Sequence, residues 1–315
     1  MSSDRKIIKV NKPLSRLKKM KRSWQLYVMI LLPLIYILVF LYYPMIGAQI
    51  AFRQFTPRGG IWGSTWVGLD NFRLFLQSHV FWRVVRNTLV ISFYNLIVGF
   101  PFPILLAIGI TYAKNMRFRK TIQMVSYAPF FISTVVMCGL IIQFLNPRTG
   151  VVNNIIQALG FQPIEFMASA TLFPSIFVWT GIWQFTGFSS IIYIAALAGI
   201  NPELHEAAIM DGATKVKRIW HIDLPGITPT MVVLLILNVG QVLNIHFERV
   251  FLLQTPLNLQ TSEVISTYVY KIGIVASFPQ FSLGTAIGLF QSVLALILLL
   301  MVNKIARTIS ENSLW

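Results

Sequence analysis

The chain has 315 residues and a formal net charge of +16, with 56% hydrophobic and only 11% charged residues. Soluble domains carry about 25% charged residues, so this composition excludes an ordinary soluble domain and marks a membrane protein. The basic residues cluster in short segments between apolar runs and form no aromatic-interleaved patch, which excludes nucleic acid as the partner and assigns the charge to membrane orientation.

Residues 1–24 form a basic tail that includes Lys18, Lys19, Lys21 and Arg22. The apolar run that follows, from about 26 to 46, exceeds the 7–15 residues of a signal-peptide core and lacks a small-residue cleavage site, so it reads as a retained first span with a cytoplasmic N-terminus. Pro33 and Pro44 are expected to kink or end it. Residues from about 51 to 83 mix arginines, aromatics and glycines and read as an external segment with an amphipathic helix around 72–76. A second span, about 84–112, contains Pro101 and Pro103 and ends at Lys114, Arg117, Arg119 and Lys120, a cluster that belongs in the cytoplasm. The third, about 122–145, holds Cys138, the single cysteine, and runs out to a turn at 146–150. The fourth, about 172–197, returns inward. The fifth, about 230–253, leads to an outer loop with Pro256, Asn258 and Pro279, and the sixth, about 283–302, returns to Lys304 and Arg307. The expected fold is all-α: a six-helix transmembrane bundle over residues 25–309, with cytoplasmic tails at 1–24 and 310–315.

The loop at 198–228 is a polar insert that span counting places in the cytoplasm. Asn201 is a plausible N-cap, Pro202 suits the first helical position, and Glu203 favours the helix dipole. Leu204, Ala207 and Ala208 repeat at helical spacing until Gly212; Val216, Ile219, Trp220 and Leu224 then recur with the same period, and Pro225 is expected to stop the second helix. A zinc-binding reading of His205-Glu206 fails, because Ile209 stands where a second histidine is required.

Glu206-Ala207-Ala208, Gly212, Ile222 and Leu224-Pro225 resemble the EAA signature of membrane subunits in bacterial binding-protein-dependent ABC importers. The pattern Trp66-Val67-Gly68-Leu69-Asp70-Asn71-Phe72, together with Tyr43-Pro44-Met45, Arg86-Asn87-Thr88-Leu89 and Ser313-Leu314-Trp315, is similar to maltose-type sugar permeases of the polysaccharide or aldouronate kind. Phe130-Phe131 departs from the relatives' pattern, which carries a His before the second Phe. The resemblance implies a type I importer (MetI-like) permease in the bacterial plasma membrane with both termini cytoplasmic. It also implies a second homologous permease, an extracytoplasmic solute-binding protein, a sugar substrate and two ATPase subunits that hold ATP and Mg. The loop is then the coupling helix, with Glu206 approaching a basic residue of the ATPase and Asp211 and Gly212 shaping the turn.

A transport path needs polar or aromatic groups turned away from lipid. Projected on one helix, Asn238, Gln241, Asn244 and Glu248 fall in one sector of the fifth span. They either line the path or hold helices together, and Glu248 also reads as a partner for Arg249 or His246. In the fourth span, Trp179, Trp183 and Gln184 suit sugar faces and hydroxyls, although membrane tryptophans mostly pack or mark an interface. No phosphate-binding G-x-x-x-x-G-K-[ST] loop, metal cluster or catalytic constellation is discernible, so the chain is expected to bind no cofactor and to leave ATP hydrolysis to another polypeptide. The leading expectation is a sugar-importing permease working by alternating access. Alternatives are an importer permease for another solute, or a membrane sensor or scaffold that uses the loop to bind a cytoplasmic partner.

Overall fold

The computed structural model describes residues 23–243 and 245–309; the tails at 1–22 and 310–315 and the candidate path residue Asn244 lie outside the described residues. Helix α1 (Trp24–Ile37) continues through a π turn at Leu38–Tyr42 and a short turn at Tyr43–Met45 into a 3-10 helix at Ile46–Phe52. Neither proline ends it. Pro44 begins a new turn directly after the wide π segment, where the missing N–H is absorbed. Residues 24–46 are exposed, whereas the 3-10 end packs on the final helix and buries Ala51.

The outer segment therefore starts two residues later than expected. It also contains a small antiparallel hairpin, β1 (Arg53–Thr56) with β2 (Ser64–Trp66), in which Arg53 faces Trp66. The amphipathic α2 (Asp70–Gln77) follows and buries Phe75. Helices α3 (Phe81–Gly99) and α4 (Pro101–Tyr112) form the second span, divided where Pro101 removes a backbone donor.

The third span, expected over about 122–145, is divided into two helices. α5 (Met116–Tyr127) enters a 3-10 turn at Ala128–Phe131, and α6 (Thr134–Phe144) leaves after a bend of 104°. Pro129 withholds a backbone donor inside the turn, and Ser133 starts the new helix by accepting from Val136 N at 3.4 Å. Phe130 fills the bend by stacking on Phe188 at 3.8 Å. Beyond it, α7 (Val151–Ala158) is anchored by the fully buried Asn153, whose amide reaches Leu145 O, Asn146 O and Ile164 O.

Helix α8 (Phe173–Ala198) matches the fourth span to within a residue and occupies the centre, against α3, α4 and α5. A Cβ at Gly187 would lie 1.9 Å from Ser126 O, so glycine is what allows α8 and α5 to touch. The loop region comprises α9 (Pro202–Met210) and α10 (Lys215–Arg218). α10 runs without interruption through a π turn at Ile219–Asp223 into α11 (Leu224–Gly240), which also packs on α8. Pro225 does not stop the helix, because it falls in the first turn after the π segment. The fifth span ends at Gly240; residues 241–243 and 245–246 are non-helical, and α12 (Phe247–Leu253) resumes beyond them. Helix α13 (Ile265–Tyr270) occupies part of the expected outer loop, and α14 (Phe281–Ile309) closes the bundle.

Five of these helical stretches are long and apolar enough to cross a membrane, and the bent α5–α6 pair makes six. Three apolar clusters hold them. One joins α3, α6, α8 and α12 through Ile91, Met137, Phe177 and Val250; a second joins Phe75, Val84, Ile265 and Ile287; the third joins Ile104, Tyr193 and Ile227 near the α9 end.

Candidate functional site

Local chemistry shapes the loop between the fourth and fifth spans. Asn201 caps α9, its side chain accepting from Glu203 N at 3.0 Å, with Pro202 in the first turn. At the other end Gly212 has φ +74°. Gly212 N donates to Ile209 O at 3.0 Å and Ala213 N to Ala208 O at 2.8 Å, the paired bonds of a Schellman cap, which favours glycine at this left-handed position. Thr214 then starts α10 by accepting from Lys217 N at 3.4 Å.

No residue of α9 is buried. Glu206, Ala207, Asp211 and Gly212 are exposed and Ala208 is half-buried; farther along, Ile222 and Leu224 are half-buried and Pro225 is exposed. Met210 is 87% exposed and Trp220 65%, with Leu204, Ile209 and Val216 also open. Glu206 makes no side-chain ion pair or hydrogen bond among the described residues. An acidic side chain amid exposed apolar groups on a short helix is the kind of surface that marks a protein or membrane contact. Tyr112 OH donates to Asp223 Oδ2 at 2.6 Å, so the loop shares its end of the bundle with the basic segment at 114–120.

The polar stripe expected on the fifth span is broken. Asn238 lies on α11, Gln241 follows its last residue, and Glu248 lies on α12 beyond the non-helical segment, so a single-helix projection does not apply. Gln291 of α14 donates to Leu243 O at 2.6 Å, satisfying a carbonyl that the break releases. Asn238, Gln241 and Glu248 are exposed. Glu248 forms no ion pair with Arg249 or His246 among the described residues. Instead Arg249 turns inward, where Nη2 donates to Phe177 O at 2.9 Å and to Thr180 Oγ1, and His246 stacks on Phe185. A guanidinium 2% exposed needs such acceptors.

The aromatic candidates of α8 separate by role. Trp179 donates to Tyr94 OH at 3.1 Å and meets the edge of Phe102. Trp183, half-exposed, lines an apolar groove of about 460 Å³ with Phe102, Ile122, Val125 and Thr186. Gln184 is 3% exposed and donates to Ile132 O at 3.3 Å, tying α8 to the bend after α5.

Sequence reasoning missed the polar residues that organise both ends. Asp223 is 2% exposed and also contacts His205 Nε2 at 3.3 Å. At the opposite end Glu263, 3% exposed, pairs with Arg83 and with Lys271 Nζ at 3.1 Å, while Asn87 donates to Gln260 O and Glu263 O at 2.9 Å each. A lone acid bordering an apolar run was the available signal for both.

Residues 99–311 match the family described as binding-protein-dependent transport system inner membrane component. The chain belongs to this family. Over 312 residues it is 38% identical to the polygalacturonan/rhamnogalacturonan transport system permease protein YteP of Bacillus subtilis (strain 168), covering 99% of this chain and 97% of the relative. It is also similar to a chain of a bacterial ABC transporter involved in the import of the acidic polysaccharide alginate, with TM-score 0.87, 42% identity, and coverage of 94% of this chain and 100% of that one. A second structure of a bacterial alginate ABC transporter, in complex with an alginate pentasaccharide-bound periplasmic protein, matches at TM-score 0.87 and 40% identity over 95% of this chain and 99% of that one. This inner membrane component is thus a multi-pass permease with the helical fold of ABC importers.

Proposed function

We propose that this permease imports oligosaccharides derived from acidic polysaccharides across a bacterial plasma membrane, in complex with a second homologous permease, two cytoplasmic ATPase subunits and an extracytoplasmic solute-binding protein. The observation that carries the coupling role is α9 itself: a capped helix ending in a Schellman turn, presenting Glu206, Ala207 and Ala208 beside uncovered apolar side chains. The ATPase subunits hold ATP and Mg, and their closure displaces the helices docked on them. The permease contributes no hydrolytic chemistry; it converts that displacement into alternating access. The acidic substrate class is supported by two similar proteins, one described for polygalacturonan and one for alginate. The cytoplasmic placement of α9 and of both termini is supported by the basic segment at 114–120 at the same end. Asn238, Gln241, Asn244, Glu248 and the Trp179, Trp183 and Gln184 group remain the candidates for the path, with Trp183 favoured by its groove.

The test is ATP hydrolysis and sugar uptake by the assembled complex in proteoliposomes. Oligogalacturonate or alginate oligosaccharide should stimulate both in the presence of the binding protein, and neutral malto-oligosaccharide should not. Stimulation by the neutral sugar alone would overturn the acidic class, and failure of every sugar would overturn the sugar reading. Glu206→Lys should abolish uptake while the protein stays inserted in the membrane.

A further inference from the structure

Among the described residues, one side-chain polar contact links α9 to another element: His205 Nε2 to Asp223 Oδ1 at 3.3 Å. Asp223 is the last residue of the π turn that feeds α11, and it is 2% exposed. Its second oxygen accepts from the hydroxyl of Tyr112, the last residue of α4, at 2.6 Å. The Arg218 guanidinium lies over the Tyr112 ring at 5.7 Å, placing a positive charge beside the pair. One turn past Asp223, a Cβ at Gly226 would lie 2.7 Å from Ile200 Cδ1, so the root of the α9 loop is seated directly on α11.

A buried carboxylate is costly unless its oxygens are satisfied. Here the two oxygens take partners from two different elements, and the carboxylate itself belongs to a third. We propose that His205, Asp223 and Tyr112 form a latch that makes α9, the fifth span and the cytoplasmic end of the second span move as one body. The proposal rests on the reading of α9 as the ATPase-docking helix. A shift of α9 alone would separate His205 from Asp223 and strip the carboxylate of one partner, so the lower-energy response is for α11 and α4 to follow. These are positioning residues, since their action on transport passes through the helices they join.

The test uses the assembled complex in proteoliposomes, with spin labels at Met210→Cys and Lys114→Cys in a Cys138→Ala background. The distance across the latch should be the same in the nucleotide-free and the ATP–vanadate-trapped complex. In Asp223→Asn, which keeps shape and removes charge, trapping should shift or broaden that distance. Uptake per ATP hydrolysed should fall about tenfold, the equivalent of about 1.4 kcal/mol of coupling. His205→Ala should resemble Asp223→Asn, and combining the two should cost no more than either alone. His205→Gln, which keeps a donor at similar reach, should restore coupling. A wild-type distance that changes on trapping would overturn the latch, as would normal uptake per ATP in Asp223→Asn. Should Glu206→Lys also import normally, the docking role of α9 fails with it; should Glu206→Lys fail to import while Asp223→Asn imports normally, the latch fails alone.

Discussion

The two ends of the bundle both carry polar loops between apolar helices, and they are held in opposite ways. In the loop at 254–264, Asn258 is fully buried and joins Met167 O, Leu253 O, Thr255 N and Ser262 Oγ, while Glu263 sits between Arg83 and Lys271. At the other end α9 has no buried residue, and among the described residues one of its side chains makes a polar contact with another element. A loop that closes its own hydrogen bonds serves as scaffold. A loop that leaves acidic and apolar groups open is completed by a partner.

That contrast can be broken by substitution, because scaffold residues should govern stability and α9 residues should govern transport. Glu263→Ala leaves Arg83 and Lys271 without their carboxylate and should cost about 3 kcal/mol, since breaking a buried pair is expensive even when the cations are partly solvated. Thermal unfolding in detergent checks it, and an unchanged midpoint would place the two ends on an equal footing. Asn258→Ala removes a side chain that serves several buried groups and should cost about 2 kcal/mol by the same measurement. Gly212→Ala strains a residue at φ +74° and should cost only about 1 kcal/mol, yet it should lower uptake strongly because it reshapes the α9 turn. Glu206→Ala should leave the unfolding midpoint unchanged, because this exposed carboxylate has no side-chain partner among the described residues, and reduce uptake alone. A destabilised Glu206→Ala would erase the distinction.

How much was legible in the sequence follows from how local each determinant is. Asn201, Pro202 and Gly212 act within a few residues, and the cap, the first turn and the Schellman end all stand where the residues place them. The fourth span is a long uninterrupted apolar run and was readable almost to the residue. One proline misled. Pro225 looked like a stop, but a π turn carries the helix past it. The third span was read only as a stretch at about 122–145, and within it Ser133 caps a new helix at 104° to the old one. The break after Gly240 depends on Gln291, 48 residues away, taking the carbonyl of Leu243, which no periodicity reveals. Asp223 was visible as a lone acid; its partners Tyr112 and His205 become neighbours only through packing of α4 against the central helix and of the α9 loop on α11.

The central claim is that α9 is covered by an ATPase subunit. Placing the photoreactive benzoylphenylalanine at Met210, which is 87% exposed on the helix, in the assembled complex and irradiating it tests this directly. The account predicts a crosslink to the ATPase subunit that is lost when Glu206→Lys is added. Crosslinking only to lipid or to the companion permease, with no ATPase adduct, would contradict it.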